Sequence, residues 1–130
     1  MDTSAIIDFL RKGEKTKRII ERGRSRGDTV GVTSISLFEL LSPIFHRRLL
    51  KREKAVRAFA RESQFLVLDS AATEEASKIM GALLRIGKPI NALDVLISGI
   101  AVANGADEIV TSDKDFQTIE KVANISVTMI

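Results

Sequence analysis

Short apolar runs alternate with helix-patterned segments along most of this 130-residue chain. Four of the runs predict strands, at residues 29–35, 65–68, 108–111 and 125–128. Between them, apolar residues recur every three or four positions, which is the period of a helix with one buried face. Strands that are joined by helical crossovers pair in parallel, and the helices cover the sheet on both faces. The sequence therefore predicts an α/β protein, a three-layer α/β/α fold with a central, mainly parallel sheet, in a single domain of residues 1–130.

The segments around these strands predict helices. They cover residues 4–10, 15–24, 47–62, 71–85, 91–103 and 114–122, and a further helix begins at Ser36 as its cap. Pro43 lies well inside this last helix, where the missing amide hydrogen of proline predicts a kink or a restart.

Composition excludes several classes of site. The chain has no cysteine and a single histidine, His46, so neither a thiolate site nor a histidine-based zinc site is expected. No apolar stretch approaches the ~20 residues of a membrane-spanning helix, and the first residues lack the basic and then apolar pattern of a signal peptide. We expect a soluble, cytoplasmic protein without a membrane partner.

Charge is distributed unevenly along the chain. Residues 1–64 carry 15 Lys and Arg against 8 Asp and Glu, whereas residues 65–130 carry 5 against 9. This polarity suits a polyanion such as RNA that is held by a basic surface near an acidic centre, although solvated helix faces also explain such runs. The candidate RNA-binding residues are Arg47, Arg48, Lys51 and Arg52.

Four acidic residues stand beside or inside apolar segments: Asp2, Glu39, Asp94 and Asp113. Ligands of open parallel sheets bind beyond the carboxyl ends of the strands, and three of these acids follow predicted strands or lie near such ends. Carboxylates in apolar surroundings need a partner that neutralises them. A divalent metal ion is the natural partner of such a cluster.

Each acid also has a local structural interpretation. Glu39 completes a Ser36-x-x-Glu39 capping box, and Asp113 is a suitable cap for the helix that follows it. Asp94 lies in the first turn of its helix, where an acid favours the helix dipole, but no other charge occurs in residues 93–103. An acid in a helix that is apolar nearly all round favours a functional role for Asp94.

Together, four segments resemble the PIN domain family, and within it the VapC-type toxin ribonucleases. They are the opening Asp2-Thr3-Ser4, the segment around Glu39, the segment from Pro89 to Ile97 around Asp94, and Gly105 to Phe116 with its Thr111-x-Asp113-x-Asp115 pattern. The resemblance implies Mg²⁺- or Mn²⁺-dependent cleavage of RNA, with one or two ions. It also implies a homodimer and inhibition by a small antitoxin protein.

Carried onto this chain, the resemblance assigns the catalytic and metal-binding acids to Asp2, Glu39, Asp94 and Asp113. Thr3 or Ser4, and Thr111, would supply supporting hydroxyls. Asp115 is expected to act beside the metal ligands or on the substrate side. Carboxylate oxygens without histidine or cysteine select Mg²⁺ or Mn²⁺.

The start of the chain departs from the family pattern. Related chains carry several apolar residues before the first Asp, whereas only Met1 precedes Asp2 here. Either the true start lies upstream, or the first strand is very short and Asp2 is loosely held. The second expectation allows an alternative function, a catalytically weak or inactive PIN-like module that binds RNA or protein. A phosphate-accepting pocket of the response-regulator kind also clusters aspartates, but no lysine is placed convincingly for it.

Overall fold

The computed structural model describes residues 1–130 and contains seven helices and four short strands. The helices are α1 Thr3–Leu10, α2 Glu14–Ser25, α3 Ser34–Arg47, α4 Leu50–Glu62, α5 Ser70–Arg85, α6 Ala92–Ala103 and α7 Asp115–Glu120. The strands are β1 Gly31–Thr33, β2 Gln64–Leu66, β3 Glu108–Thr111 and β4 Ser126–Met129. No helix combines the length and the apolar composition that crossing a lipid bilayer requires.

The strands pair in parallel, as the sequence predicts, and they form two two-stranded sheets, β1 with β2 and β3 with β4. Val32 of β1 is in register with Phe65 of β2, and Ile109 of β3 is in register with Val127 of β4. Each pair is joined by an intervening helix, α3 with α4 in the first case and α7 in the second. Parallel pairing follows from these helical crossovers.

The backbone of Met1 and Asp2 bridges the two strand pairs. The Met1 nitrogen donates to the Gly31 carbonyl at 2.9 Å, and the Asp2 amide donates to the Val110 carbonyl at 3.1 Å. Asp2 is only 3% exposed. The expectation that Asp2 is loosely held is therefore wrong, because backbone hydrogen bonds on both sides fix this segment between β1 and β3.

The junction of β1 and α3 differs from the prediction. β1 spans three residues rather than residues 29–35, because Thr33 caps α3 by accepting a hydrogen bond from the Ser36 amide at 3.0 Å. Ser36 consequently lies inside the helix, fully buried, and is not the cap. Hydroxyl side chains at both positions made the two starts equally plausible from sequence.

The region around Pro43 also corrects the sequence interpretation. α3 continues through Pro43 to Arg47 without a restart. The break comes at Arg48, which adopts the left-handed conformation with φ 54° and ends α3. α4 then begins at Leu50 rather than at Arg47.

Two apolar clusters form the core. One joins α5, α6, β3 and α7 around Leu83, Ile97 and Phe116, and the other joins α1, β1, α3 and α4 around Ile6 and Val32. Burial of these side chains supplies the main stabilisation of both regions.

Helices α5 and α6 approach each other closely at Gly99. A Cβ atom at Gly99 would lie 2.5 Å from the Ala76 Cβ and 2.7 Å from the Ala72 carbonyl oxygen. Both α5 residues are small, which permits this close contact. Because Asp94 lies on α6, this packing also fixes the backbone from which its side chain extends.

Candidate metal centre

The Asp2 carboxylate is held by a dense set of hydrogen bonds. As the N-cap of α1 it accepts from the Ala5 amide at 2.9 Å. The Ser4 hydroxyl donates to its two oxygens at 2.8 and 3.0 Å, and the Thr111 hydroxyl donates to Oδ2 at 2.7 Å. These contacts join α1 to the end of β3, and they orient Asp2 without any cationic side chain.

The same hydroxyls fix the loop that follows β3. Thr111 Oγ1 accepts from the Asp113 amide, and Ser4 Oγ accepts from the Ser112 amide, each at 2.9 Å. Each hydroxyl thus receives a hydrogen bond from the loop and donates one to Asp2. The position of Asp113 is consequently coupled to that of Asp2 through two side chains that the sequence predicted as supporting.

Asp113 has a local role in addition to its place in the cluster. Its Oδ1 accepts from the Asp115 amide at 2.9 Å, and α7 begins at Asp115 rather than directly after Asp113. This hydrogen bond is a local turn of the kind that aspartate favours before a helix. The bond occupies one carboxylate oxygen, so the local and metal-binding interpretations of Asp113 are compatible.

Three carboxylates lie within reach of a single ion. One oxygen each of Asp94, Asp113 and Asp115 lies within 4.8 Å of the others. Asp94 and Asp113 are partly buried, whereas Asp115 is exposed. The structure therefore places Asp115, predicted as a supporting residue, in the same cluster as two of the predicted ligands.

Asp94 is the electrostatically strained member of this group. Burial, and then the negative charges of Asp113, Glu39, Asp2 and Asp115, raise the pKa of Asp94 to about 7 from an ordinary value of 3.8. No hydrogen bond reaches its carboxylate. The nearby polar side chains bind the backbone instead: Ser98 donates to the Asp94 carbonyl, and Asn91 caps α6 by accepting from the Leu93 amide. The negative charges of all four other acids act on Asp94. The group of carboxylates within 4.8 Å of one another comprises Asp94, Asp113 and Asp115, and the predicted ligands Asp2 and Glu39 do not belong to it.

Glu39 is not part of a capping box. It is the sixth residue of α3, whose cap is Thr33, and it lies too far along the helix to reach the capping amides. Its Oε1 instead accepts a hydrogen bond from the Thr3 hydroxyl at 2.7 Å. The capping-box interpretation of Glu39 is wrong, and the side chain is directed towards the start of α1.

No cationic side chain neutralises these five acids. The ion pairs of the structure are Arg26 with Asp28, Arg57 with Glu53, and Lys78 with Glu75. Neighbouring carboxylates without a cationic side chain between them repel one another, and oxygen donors alone are the preferred ligands of Mg²⁺ and Mn²⁺. The donor set therefore suits a hard divalent cation, and the only histidine, His46, lies exposed in the last turn of α3.

The basic residues of the α3–α4 junction are exposed. Arg47, Arg48, Lys51 and Arg52 all project into solvent, beside the exposed side chains of Phe45 and Leu50. A separate cleft of about 770 Å³ lies between β1 and β3 and includes Gly31 and Glu108 in its lining. None of the five clustered acids lines this cleft, so the acidic centre is a distinct surface feature.

The sequence model of the PIN domain family matches residues 1–122. The chain belongs to the PIN domain family, which confirms the resemblance and the α/β/α fold with parallel strands that the sequence predicts. No curated protein sequence matches the chain significantly.

Solved structures share the fold across almost the whole chain. VapBC2 from Rickettsia felis, bound to a DNA fragment from its promoter, aligns with TM-score 0.85 and 18% identity over 99% of this chain and 96% of that chain. DNA-bound VapBC from Salmonella typhimurium and VapBC-1 from nontypeable Haemophilus influenzae each align with TM-score 0.78 and 24% identity. Both cover 98% of this chain and 94% of the other.

Proposed function

We propose that this PIN domain is a divalent-metal-dependent endoribonuclease that serves as the toxin of a toxin–antitoxin pair. The observation that carries the proposal is the cluster of Asp94, Asp113 and Asp115 on a PIN fold, which feels the charges of Glu39 and Asp2 and has no cationic side chain paired with it. A cation bound among these carboxylates would relieve their mutual repulsion. The structural relatives among VapBC toxin–antitoxin complexes support the toxin role.

Asp94, Asp113 and Asp115 would hold the ion, Glu39 would offer a further carboxylate oxygen, and Asp2 would contribute negative charge beside them. A Mg²⁺ or Mn²⁺ ion held there would neutralise negative charge on the scissile phosphate and would lower the pKa of a coordinated water molecule. Titration with Mn²⁺ distinguishes one bound ion from two.

The protein groups then have separate duties. Thr111 and Ser4 orient Asp2 and restrain the loop that carries Asp113. Asp94, with its pKa near 7, exchanges a proton at Oδ1 or Oδ2 within the neutral range, so cation binding releases that proton. The exposed Arg and Lys side chains at the α3–α4 junction would attract RNA phosphates.

The partners follow from the same assignment. An RNA strand is the substrate, a small antitoxin protein is the inhibitor, and a second copy of the chain completes a homodimer. The VapBC relatives support the antitoxin, because one of them, VapBC-5 from Mycobacterium tuberculosis, is a member of the VapBC family of toxin–antitoxin systems. Size-exclusion chromatography with light scattering on the chain alone tests the homodimer, and co-expression with any short reading frame found beside its gene tests the antitoxin.

A metal-titrated cleavage assay tests the activity. Purified chain is incubated with structured and unstructured RNA over a range of Mn²⁺ and Mg²⁺ concentrations, with EDTA and an Asp94→Asn variant as controls. Cuts that need the metal and disappear in the variant support the nuclease. RNA binding without cuts at any metal concentration would instead favour the non-cleaving module.

A further inference from the structure

Thr3 connects the beginning of α1 with α3. Its hydroxyl donates to Glu39 Oε1 at 2.7 Å, across 36 residues of sequence. Both side chains are half-buried. The contact is not required to start α1, because Asp2 is the N-cap of that helix and binds the Ala5 amide. The hydrogen bond from the Thr3 hydroxyl therefore serves a role other than helix capping.

Glu39 has no other partner that fixes its carboxylate. No other hydrogen bond and no ion pair involves its side-chain oxygens. A glutamate side chain has several rotatable bonds, and an unrestrained carboxylate among like charges would turn away from them. The Thr3 hydrogen bond counters this repulsion, because a hydroxyl donor stabilises an ionised carboxylate.

The geometry leaves one oxygen of Glu39 available. Oε1 is engaged by Thr3, whereas Oε2 has no protein donor. We propose that Thr3 is a positioning residue that holds Glu39 in the orientation needed to bind a divalent cation. This assignment rests on the proposed metal-dependent function. It also distinguishes Thr3 from Ser4 and Thr111, whose hydroxyls serve Asp2.

A Thr3→Val substitution tests the positioning role, since it keeps the branched shape and removes the hydroxyl. Isothermal titration with Mn²⁺ at pH 8 should show an affinity about 10- to 100-fold lower than that of the parent, as expected when a group that orients a metal ligand is lost. The metal-free melting temperature should change little. Thr3→Ser, which restores the donor, should recover most of the affinity.

Two further variants separate positioning from a general packing effect. Thr118→Val removes a half-buried hydroxyl of α7 that makes no hydrogen bond, and it should bind Mn²⁺ as the parent does. In a Glu39→Gln background, Thr3→Val should lower Mn²⁺ affinity no further, because the two residues act as one unit.

The outcomes distinguish this assignment from the proposed function. A parent that binds Mn²⁺, beside a Thr3→Val variant that binds it equally well, contradicts the positioning role alone. Additive losses from Thr3→Val and Glu39→Gln contradict it as well. A parent that neither binds Mn²⁺ nor cleaves RNA contradicts the proposed function and this assignment together.

Discussion

Asp2 and Asp94 are aspartates of the same acidic centre, yet their carboxylates have opposite hydrogen-bonding environments. Asp2 is almost completely buried, and it receives hydrogen bonds from one amide and two hydroxyls. Asp94 is partly buried, receives none, and has its pKa raised to about 7. The two carboxylates therefore differ in the hydrogen-bond donors that the fold supplies, since burial and neighbouring charge act on Asp94 without any donor to offset them. The protein supplies hydrogen-bond donors to the Asp2 carboxylate, whereas the Asp94 carboxylate has no protein donor and is available to bind a cation.

The largest expected effect follows from Asp94→Asn. Asparagine preserves the shape of the side chain and removes its charge. The cleavage rate should therefore fall by more than about 10- to 100-fold, which is the loss typical of residues that only orient a metal ligand. The metal-free melting temperature should hold or rise, because mutual repulsion decreases. Single-turnover cleavage at saturating Mn²⁺ measures the first effect, and thermal melts with EDTA measure the second.

Asp107→Asn is a matched control, since Asp107 is an exposed acid outside the cluster. It should cleave and melt as the parent does. If Asp94→Asn cleaved as fast as Asp107→Asn, Asp94 would have no place in the site.

Asp2→Asn should behave differently from Asp94→Asn. The amide nitrogen cannot accept the hydrogen bonds that the second carboxylate oxygen now receives from Ser4 and Thr111. We expect the metal-free protein to lose about 1–3 kcal/mol of unfolding free energy, the usual cost of leaving buried polar groups unsatisfied. Urea unfolding with EDTA measures it. Equal stability of the two variants would remove the contrast between Asp2 and Asp94.

The raised pKa of Asp94 predicts a pH dependence of the metal-free protein. Between its ordinary value of 3.8 and about 7, the folded chain binds more protons at Asp94 than the unfolded chain does. The contribution of this group to stability is therefore complete below pH 4 and is lost as the pH rises through 7. Subtracting the stability profile of Asp94→Asn from that of the parent isolates this slope. A difference profile that is flat from pH 4 to 8 would contradict the pKa shift.

Mn²⁺ affinity should change with pH in the opposite direction. Because the cation binds the ionised carboxylate, affinity should increase up to about pH 7 and level off above it.

A smaller effect is expected at the basic junction of α3 and α4. Replacing Arg47, Arg48 and Lys51 by Gln in an Asp94→Asn background should reduce the slope of log RNA affinity against log salt by about 0.7 for each lost phosphate contact. Lys15→Gln with Lys17→Gln on α2 is a control that removes exposed charge elsewhere. If both variants changed the slope equally, the effect would reflect net charge, and the junction would not be a preferred RNA surface.

The sequence was sufficient for the parallel pairing of the strands, because helical crossovers determine it. It also singled out Asp94 and Asp113, but it predicted Asp115, the third member of their cluster, only as a supporting residue. It was not sufficient where two local solutions were close in energy. Thr33 and Ser36 are both capable caps, and the buried environment of Ser36 decides between them. The firm placement of Asp2 was also missed, because it depends on hydrogen bonds from Met1 to β1 and from Asp2 to β3, two segments distant in sequence. Hydroxyl residues directly after Asp2 were the available signal.

Calorimetric titration of the metal-free chain with Mn²⁺ at pH 8 tests most directly whether the unsatisfied acids form a cation site. The parent should bind Mn²⁺ and gain thermal stability in proportion to the logarithm of its concentration above the dissociation constant. Asp94→Asn should lose most of this response, and Asp107→Asn should retain it. A parent that shows neither heat of binding nor a melting shift, or an Asp94→Asn variant that responds as the parent does, would contradict the metal centre.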